Sequence, residues 1–151
     1  MTKLIIGISG ASGAIYGVEM LKALRAAKVE THLIVTKTAQ ITIAHETEYS
    51  LAQVQKLADH FYSNTDMAAA VASGSFKTAG MIIAPCSMRS LAEIANAHAT
   101  SLLTRAADVC LKERRRLVLM PRETPLHSIH LRHMLTLSDM GVIMAPPMPA
   151  F

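Results

Sequence analysis

Residues 7–13 read Gly-Ile-Ser-Gly-Ala-Ser-Gly and follow directly on the apolar run Leu-Ile-Ile at 4–6. A strand that enters a tight glycine turn and then a helix leaves backbone N–H groups at the helix start. Those groups and the helix dipole favour an anion. Gly7, Gly10 and Gly13 permit close backbone approach, and Ser9 and Ser12 add hydroxyl donors. The spacing is GxxGxxG, so the GxGxxG fingerprint of a dinucleotide site is not met, and no Walker lysine follows. The expected occupant is a mononucleotide phosphate or the edge of an isoalloxazine ring. The competing reading is a ligand-free βα turn.

Other chemically capable residues stand after other apolar runs. They are Thr36-Lys37, Ala-Pro-Cys-Ser-Met-Arg-Ser at 84–90, and Pro-Arg-Glu-Thr-Pro at 121–125. If those runs are parallel strands, their carboxyl ends share one edge, where ligands of open α/β sheets gather. Hydroxyls, a thiol, arginines and a carboxylate would then meet around a polar, anionic, planar ligand. Cys86 and Cys110 lie in no CxxC or Cys/His cluster, and Cys86 reads as a small buried residue. His127, His130 and His133 recur at three-residue spacing and imitate a metal site on a helix. Without a fourth ligand, no metal site is assigned.

The elements that must position these groups follow from periodicity. Apolar runs at Lys3–Ile8, Glu30–Val35, Gly80–Ala84, Arg116–Met120 and Gly141–Ala145 show little polar alternation, as strands covered on both faces do. Helical patterns occupy Ala14–Ala27, Met88–Ala95, Leu102–Glu113 and Ser128–Asp139. This alternation predicts an α/β domain with a mainly parallel sheet. Glu48–Phe76 is the least regular part and reads as a long excursion over one face.

Composition narrows the class. The 151 residues are 51% hydrophobic, which suits one domain with a sizeable core. No apolar stretch reaches the roughly 18 residues of a membrane span, and no secretory signal pattern opens the chain, so a cytoplasmic protein is expected. The net charge of +4 comes largely from Lys-Glu-Arg-Arg-Arg at 112–116, which reads first as a solvated helix end. With 4% aromatic residues and no Trp, the stacking platform of a single-strand nucleic-acid binder is missing. Ten methionines suggest apolar surface buried between subunits.

Several segments together resemble the flavin prenyltransferases, the UbiX group of the homo-oligomeric flavin-containing Cys decarboxylase-like superfamily. They are GISGASGAIYG at 7–17, Thr36-Lys37, ASGSFKT at 72–78, MIIAPCSM at 81–88, LLTRAADV at 102–109, LKERR at 111–115, LVLMPRETPL at 117–126, HLRHML at 130–135 and PPMPAF at 146–151. The resemblance implies one FMN-binding flavoprotein domain over 1–151, with a Rossmann-like or flavodoxin-like three-layer sandwich. It further implies a homododecameric transferase that joins a dimethylallyl group from dimethylallyl phosphate to N5 and C6 of reduced FMN, without a metal. The product, prenylated FMN, would serve UbiD-type decarboxylases.

Carried over by position, Gly10, Ala11 and Ser12 would lie on the flavin, with Thr36, Ser87, Met88, Arg89, Ser90 and Arg105 holding its ring or phosphate. Ser12, Glu46 and Glu123 would be the catalytic polar and proton-handling residues, and Lys112 and Arg122 the cations on the dimethylallyl phosphate. The chemistry is coherent. Allylic C–O cleavage releases a phosphate that needs fixed positive charge, and ring closure needs a carboxylate to take a proton. Ordinary readings compete: Glu46 as a helix end, Glu123 as an ion pair with Arg122, and Arg105 and Lys112 as surface residues two helical turns apart. Family members continue past the position of Phe151 with a tyrosine and an arginine-bearing segment, so a domain lacking that segment is expected. Some also carry a tryptophan near the position of Met67. Two alternatives stand beside transferase activity: an FMN-dependent cysteine decarboxylase, and an FMN-binding, decarboxylase-associated subunit without prenyl transfer.

Overall fold

Leu4–Ile8, Leu33–Val35 and Met81–Cys86 are almost unbroken stretches of buried aliphatic residues, and each lies in a strand whose backbone pairs on both sides. The computed structural model describes residues 1–149, so the last two residues of the PPMPAF segment lie outside the described residues. In chain order the elements are β1 (Lys3–Ile8), α1 (Ala14–Ala26), β2 (Glu30–Val35), α2 (Lys37–Glu46), α3 (Leu51–Leu57) and β3 (His60–Ser63). A 3₁₀ turn (Ala70–Ala72) leads to β4 (Gly80–Cys86), α4 (Met88–Ala95), α5 (Leu102–Lys112), β5 (Arg116–Pro121), α6 (Ser128–Asp139) and β6 (Ile143–Met144).

The sheet order is β3-β2-β1-β4-β5-β6, and every pairing is parallel. The chain winds outward from β1 through β2 to β3, then returns to set β4 against the other side of β1. That reversal creates a crevice beyond the carboxyl ends of β1 and β4, the switch point of a doubly wound α/β sandwich. Helices cover both faces. On one, Ile6, Ile8, Leu33 and Val35 pack on Val18 and Leu21 of α1, Ile43 of α2 and Val54 of α3. On the other, Ile5, Ile34, Met81 and Ile83 pack on Leu91 of α4, Leu103 and Ala107 of α5 and Leu137 of α6. Full burial of one such aliphatic side chain contributes about 1.5–3 kcal/mol. Among the described residues, no helix is long and apolar enough to cross a membrane.

The excursion differs from its reading. Glu48–Phe76 contains α3, opened by a capping box in which Ser50 and Gln53 bond each other's backbone N–H, and the edge strand β3. His-Phe-Tyr-Ser is exposed at both ends, so β3 lacks the buried aliphatic run that marks the other strands. Its pairing with β2 defines it.

Candidate functional site

The switch point is fastened by one serine. Ser9, fully buried, donates its hydroxyl to the Pro85 carbonyl (2.8 Å) and accepts from the Ser87 N–H (2.7 Å), while its own N–H bonds the Pro85 carbonyl (3.2 Å). The end of β1 is thereby tied to the end of β4. Ser9 is a positioning residue, not the ligand donor its place in the glycine loop suggests.

Helices α1, α2, α4 and α5 begin at this rim, and each leaves first-turn N–H groups without intrahelical partners. At α1, a carboxylate from the far end of α2 takes them: Glu46 Oε1 accepts from the N–H of Gly13 (2.9 Å) and of Ala14 (3.1 Å). Gly13 caps that helix at φ 106°, a left-handed conformation that suits glycine, and offers no side chain of its own. At α5, Asn64 does the same work, its carbonyl accepting from Leu102 N–H (2.9 Å) and its Oδ1 from Leu103 N–H (2.8 Å). At α2 and α4 only the third position is capped, Ala39 N–H by Thr36 Oγ1 and Ser90 N–H by Ser87 Oγ, both at 3.1 Å. The first turns of these two helices border the crevice through Lys37, Thr38, Arg89 and Ser90.

Between them lies a cleft of about 320 Å³, lined by Gly10, Thr36, Lys37, Thr38, Asn64, Ser87, Arg89, Ser90, Glu93, Thr100, Ser101 and Leu103. Two open helix starts, six hydroxyl side chains and two basic side chains make it a site for an anion with a polar, hydrogen-bonding body. Arg89 is largely solvent-exposed and pairs with Glu93 at 2.8 Å. The glycines mainly serve packing: a Cβ at Gly10 would overlap the Thr38 side chain, and one at Gly7 would overlap Leu103.

Beside the cleft, Ser12, Glu46 and Arg122 form a second group. Burial works to raise the Glu46 pKa. Donation from the Gly13 and Ala14 N–H groups and the Ser12 hydroxyl, with the charge of Arg122, outweighs it and holds the carboxyl below the ordinary carboxylate value. A carboxylate so held is ionised across the neutral range.

The structure thus brings Gly10, Thr36, Ser87, Arg89 and Ser90 onto the cleft, with Ala11, Ser12, Glu46 and Arg122 next to it. Met88 does not line it. Glu123, in the loop after β5, bonds the N–H of Thr124 (3.0 Å), and no ion pair with Arg122 is formed among the described residues. Arg105 does not line the cleft: its guanidinium donates to the Ala72 carbonyl (3.1 Å) and pairs with Asp108 (3.1 Å). Lys112 sits farther still. α5 runs antiparallel to the strands, from Leu102 at the rim to Lys112 at the opposite edge, four residues before β5 begins. There Lys112 borders a different cavity of about 630 Å³, with Arg114, Arg116, Asp139 and Met140. Arg115 of the basic run is used internally, donating to the carbonyls of Gly74 (2.6 Å) and Phe76 (2.9 Å).

Burial pushes the Cys86 thiol up to about 12, consistent with a packing residue and not a nucleophile. The histidine spacing on α6 has a local cause. His127 is the N-cap, its Nδ1 accepting from the N–H of Ile129 and His130 (both 3.2 Å), and His133 meets Asn96 at 3.2 Å. Sequence reasoning missed Asn64 and Thr38. Asn64 follows a strand that carries no aliphatic signal, and Thr38 has meaning only once α2 opens onto the crevice.

Residues 1–150 match the model of the family described as Flavoprotein. A probable UbiX-like flavin prenyltransferase of Bacillus subtilis (strain 168) is 60% identical over 149 residues, which span 99% of this chain and 73% of that protein. The crystal structure of AnUbiX (PadA1) in complex with FMN and dimethylallyl pyrophosphate superimposes with a TM-score of 0.98 at 50% identity, covering 99% of this chain and 80% of that one. A dodecameric FMN-dependent Ubix-like decarboxylase from Escherichia coli O157:H7 superimposes with a TM-score of 0.98 at 56% identity, covering 99% and 82%. The cysteine decarboxylase TvaF, 18% identical with a TM-score of 0.78 over 97% of this chain and 91% of that one, shares the fold alone.

Proposed function

The chain belongs to the Flavoprotein family, and from its likeness to that family's prenyltransferases we infer that it is a flavin prenyltransferase. It binds reduced FMN and joins to it a dimethylallyl group from an allylic phosphate donor. The observation that carries the reading is the pair of open helix starts, α2 and α4, at the switch-point cleft. Their N–H groups, with the hydroxyls of Thr36, Thr38, Ser87 and Ser90, fit a flavin nucleotide: an anion for the dipoles and a hydrogen-bonding ring edge for the hydroxyls. When bound, reduced FMN supplies the nucleophilic ring atoms that receive the prenyl group.

The chain's own residues divide the remaining work. Gly10 and Ala11 carry the loop past the cleft. Arg122 supplies positive charge for the released phosphate, and its guanidinium already offsets the Glu46 carboxylate. Glu46 anchors the loop and, through Ser12, a hydroxyl beside the reacting centre. Glu123, whose one hydrogen bond among the described residues is to its neighbour's N–H, is the carboxylate left to accept the proton of ring closure. Neither Arg105 nor Lys112 lines the cleft of its own chain. Lys112, at the opposite edge, fits a role on the donor phosphate when presented by another copy, as a dodecamer like that of the E. coli relative would do. Arg105, in the first turn of α5, fits a role on the flavin at the rim. The exposed apolar residues of α6, Ile129, Leu131 and Leu135, suit burial in such an assembly. A cytoplasmic decarboxylase of the UbiD type is the consumer we assign to the product.

The test is direct. Incubation with reduced FMN and dimethylallyl phosphate, or the pyrophosphate, should give a flavin heavier by one five-carbon unit by mass spectrometry. A flavin that co-purifies but stays unmodified with both donors would leave the non-catalytic FMN-binding subunit as the better reading. Conversion of a cysteine-terminated peptide would instead favour the decarboxylase.

A further inference from the structure

We propose that Glu30, His32 and His60 form a binding site for a divalent transition-metal ion of the Zn²⁺ class, on the outer part of the sheet and separate from the flavin cleft. The parallel register sets His32 of β2 directly beside His60 of β3. Glu30, two residues before His32, projects to the same face of the sheet. One ligand atom from each side chain falls within 4.8 Å of the others. Glu30 lies between the rings, one carboxylate oxygen 3.1 Å from His32 Nε2 and the other 3.6 Å from His60 Nε2. An ion with bonds of about 2.0–2.1 Å in tetrahedral geometry holds its ligand atoms roughly 3.3 Å apart. The two measured separations bracket that value.

The surroundings support the ligands. His32 is buried, and its second nitrogen, Nδ1, lies 2.9 Å from the Tyr62 hydroxyl. A hydroxyl can donate or accept. In the metal-free protein Tyr62 donates to Nδ1 while Nε2–H bonds Glu30. When an ion takes the place of the proton at Nε2, the proton lost there is balanced by one taken up at Nδ1. Nδ1–H then donates to the Tyr62 hydroxyl as that hydroxyl turns to accept, and no heavy atom relocates. This is the outer partner that orients a ligating imidazole. His60 stacks on His32 with centroids 4.5 Å apart, is half exposed, and has Glu30 as its polar partner among the described residues. A turn of that ring brings its lone pair onto the ion, and the open side admits water as a fourth ligand.

Two imidazoles and one carboxylate select zinc, copper or nickel over calcium or magnesium, which favour oxygen-only shells. Lys3 is the competitor, its ammonium 3.9 Å from Glu30 and 4.9 Å from the Phe76 ring centroid. The site stands about 13 Å along β2 from the rim residue Thr36, at 3.3 Å per residue. Its consequence is structural. An ion there clasps edge strand β3 to β2, and β3 leads into Asn64, which caps α5 and lines the cleft.

Titration of the assembled protein with Zn²⁺, followed by calorimetry, with Co²⁺ absorption reporting ligand geometry, tests the site. One ion per chain is expected. His60→Ala and Glu30→Gln should each weaken binding at least tenfold, and His130→Ala should leave it unchanged. Lys3→Met should tighten it several-fold, a gain that misfolding cannot imitate; circular dichroism checks each variant. Absence of saturable binding in the unmodified protein would overturn the proposal. So would wild-type affinity in His60→Ala, or loss of binding in His130→Ala, which would place the ion on α6.

Discussion

The starts of α1 and α4 stand at neighbouring strand ends and are built from similar residues, yet one is closed and the other open. Glu46 fills the first with the protein's own charge. Ser87 caps only the third position of the second and leaves the rest to the cleft. The glycine loop, which carries the stronger motif, is therefore scaffold in its first turn. The plainer Ser-Met-Arg-Ser segment, with Thr36 and Thr38 opposite, presents the binding surface. A helix N-terminus binds a ligand only where the fold has not already supplied an anion.

The sharpest way to break the comparison is to close the open end. Ser87→Asp keeps an N-cap but brings a carboxylate to the cleft. FMN affinity should fall at least a hundredfold, about 2.8 kcal/mol, as read by flavin fluorescence titration, with thermal stability little changed. Retained affinity would show that the nucleotide lies elsewhere. Next in size is the clasp that holds the two starts in register. Ser9→Ala leaves the Ser87 N–H without its buried acceptor and should cost about 2 kcal/mol in denaturant unfolding. A cost near zero would mean the ends of β1 and β4 hold themselves together.

How much of this is legible in the sequence follows from range. β1, β2 and β4 announce themselves through aliphatic runs, because burial on both faces admits little else, and β5 through Leu-Val-Leu-Met, whose alternate residues are half-buried. β3 does not, since an edge strand is defined by its neighbour's register, and with it go Asn64 and the His32–His60 pairing that no local spacing encodes. The rim residues Thr36, Ser87 and Ser90 were readable because a strand end is a place in sequence as well as in space. What closes or fastens those ends was not: Glu46 reaches back 33 residues to Gly13, and Ser9 spans 78 to Ser87. Arg105 and Lys112 divide for a related reason. Helical spacing puts them two turns apart, and the direction of α5 leaves Arg105 in the first turn near the rim while it carries Lys112 to the opposite edge.

Opening the closed end is the converse test. Glu46→Ala frees the Gly13 and Ala14 N–H groups and should lower stability by about 1 kcal/mol, the usual cost of a lost cap, with turnover falling more than FMN affinity. Glu46→Gln retains an oxygen acceptor and should preserve FMN binding while slowing product formation. Equal loss of binding and turnover in the Gln variant would make the residue purely structural.

The smallest effect separates charge from hydrogen bonding at Glu46. Its pKa is lowered on folding, chiefly through the Gly13 and Ala14 N–H groups acting against burial. The unfolded state therefore binds the proton more readily. The stability this contributes is fully present above the ordinary carboxylate pKa and is lost as pH falls through the lower, folded value. The Gln variant has no such proton to bind. The stability gap between wild type and Glu46→Gln should thus be constant from neutral pH down to the ordinary carboxylate value and shrink below it, as followed by chemical unfolding in a pH series. A gap that widens in acid would reverse the sign and mean that α1 is capped by a protonated acid. The distinction between a closed and an open helix start would then rest on hydrogen bonding without charge.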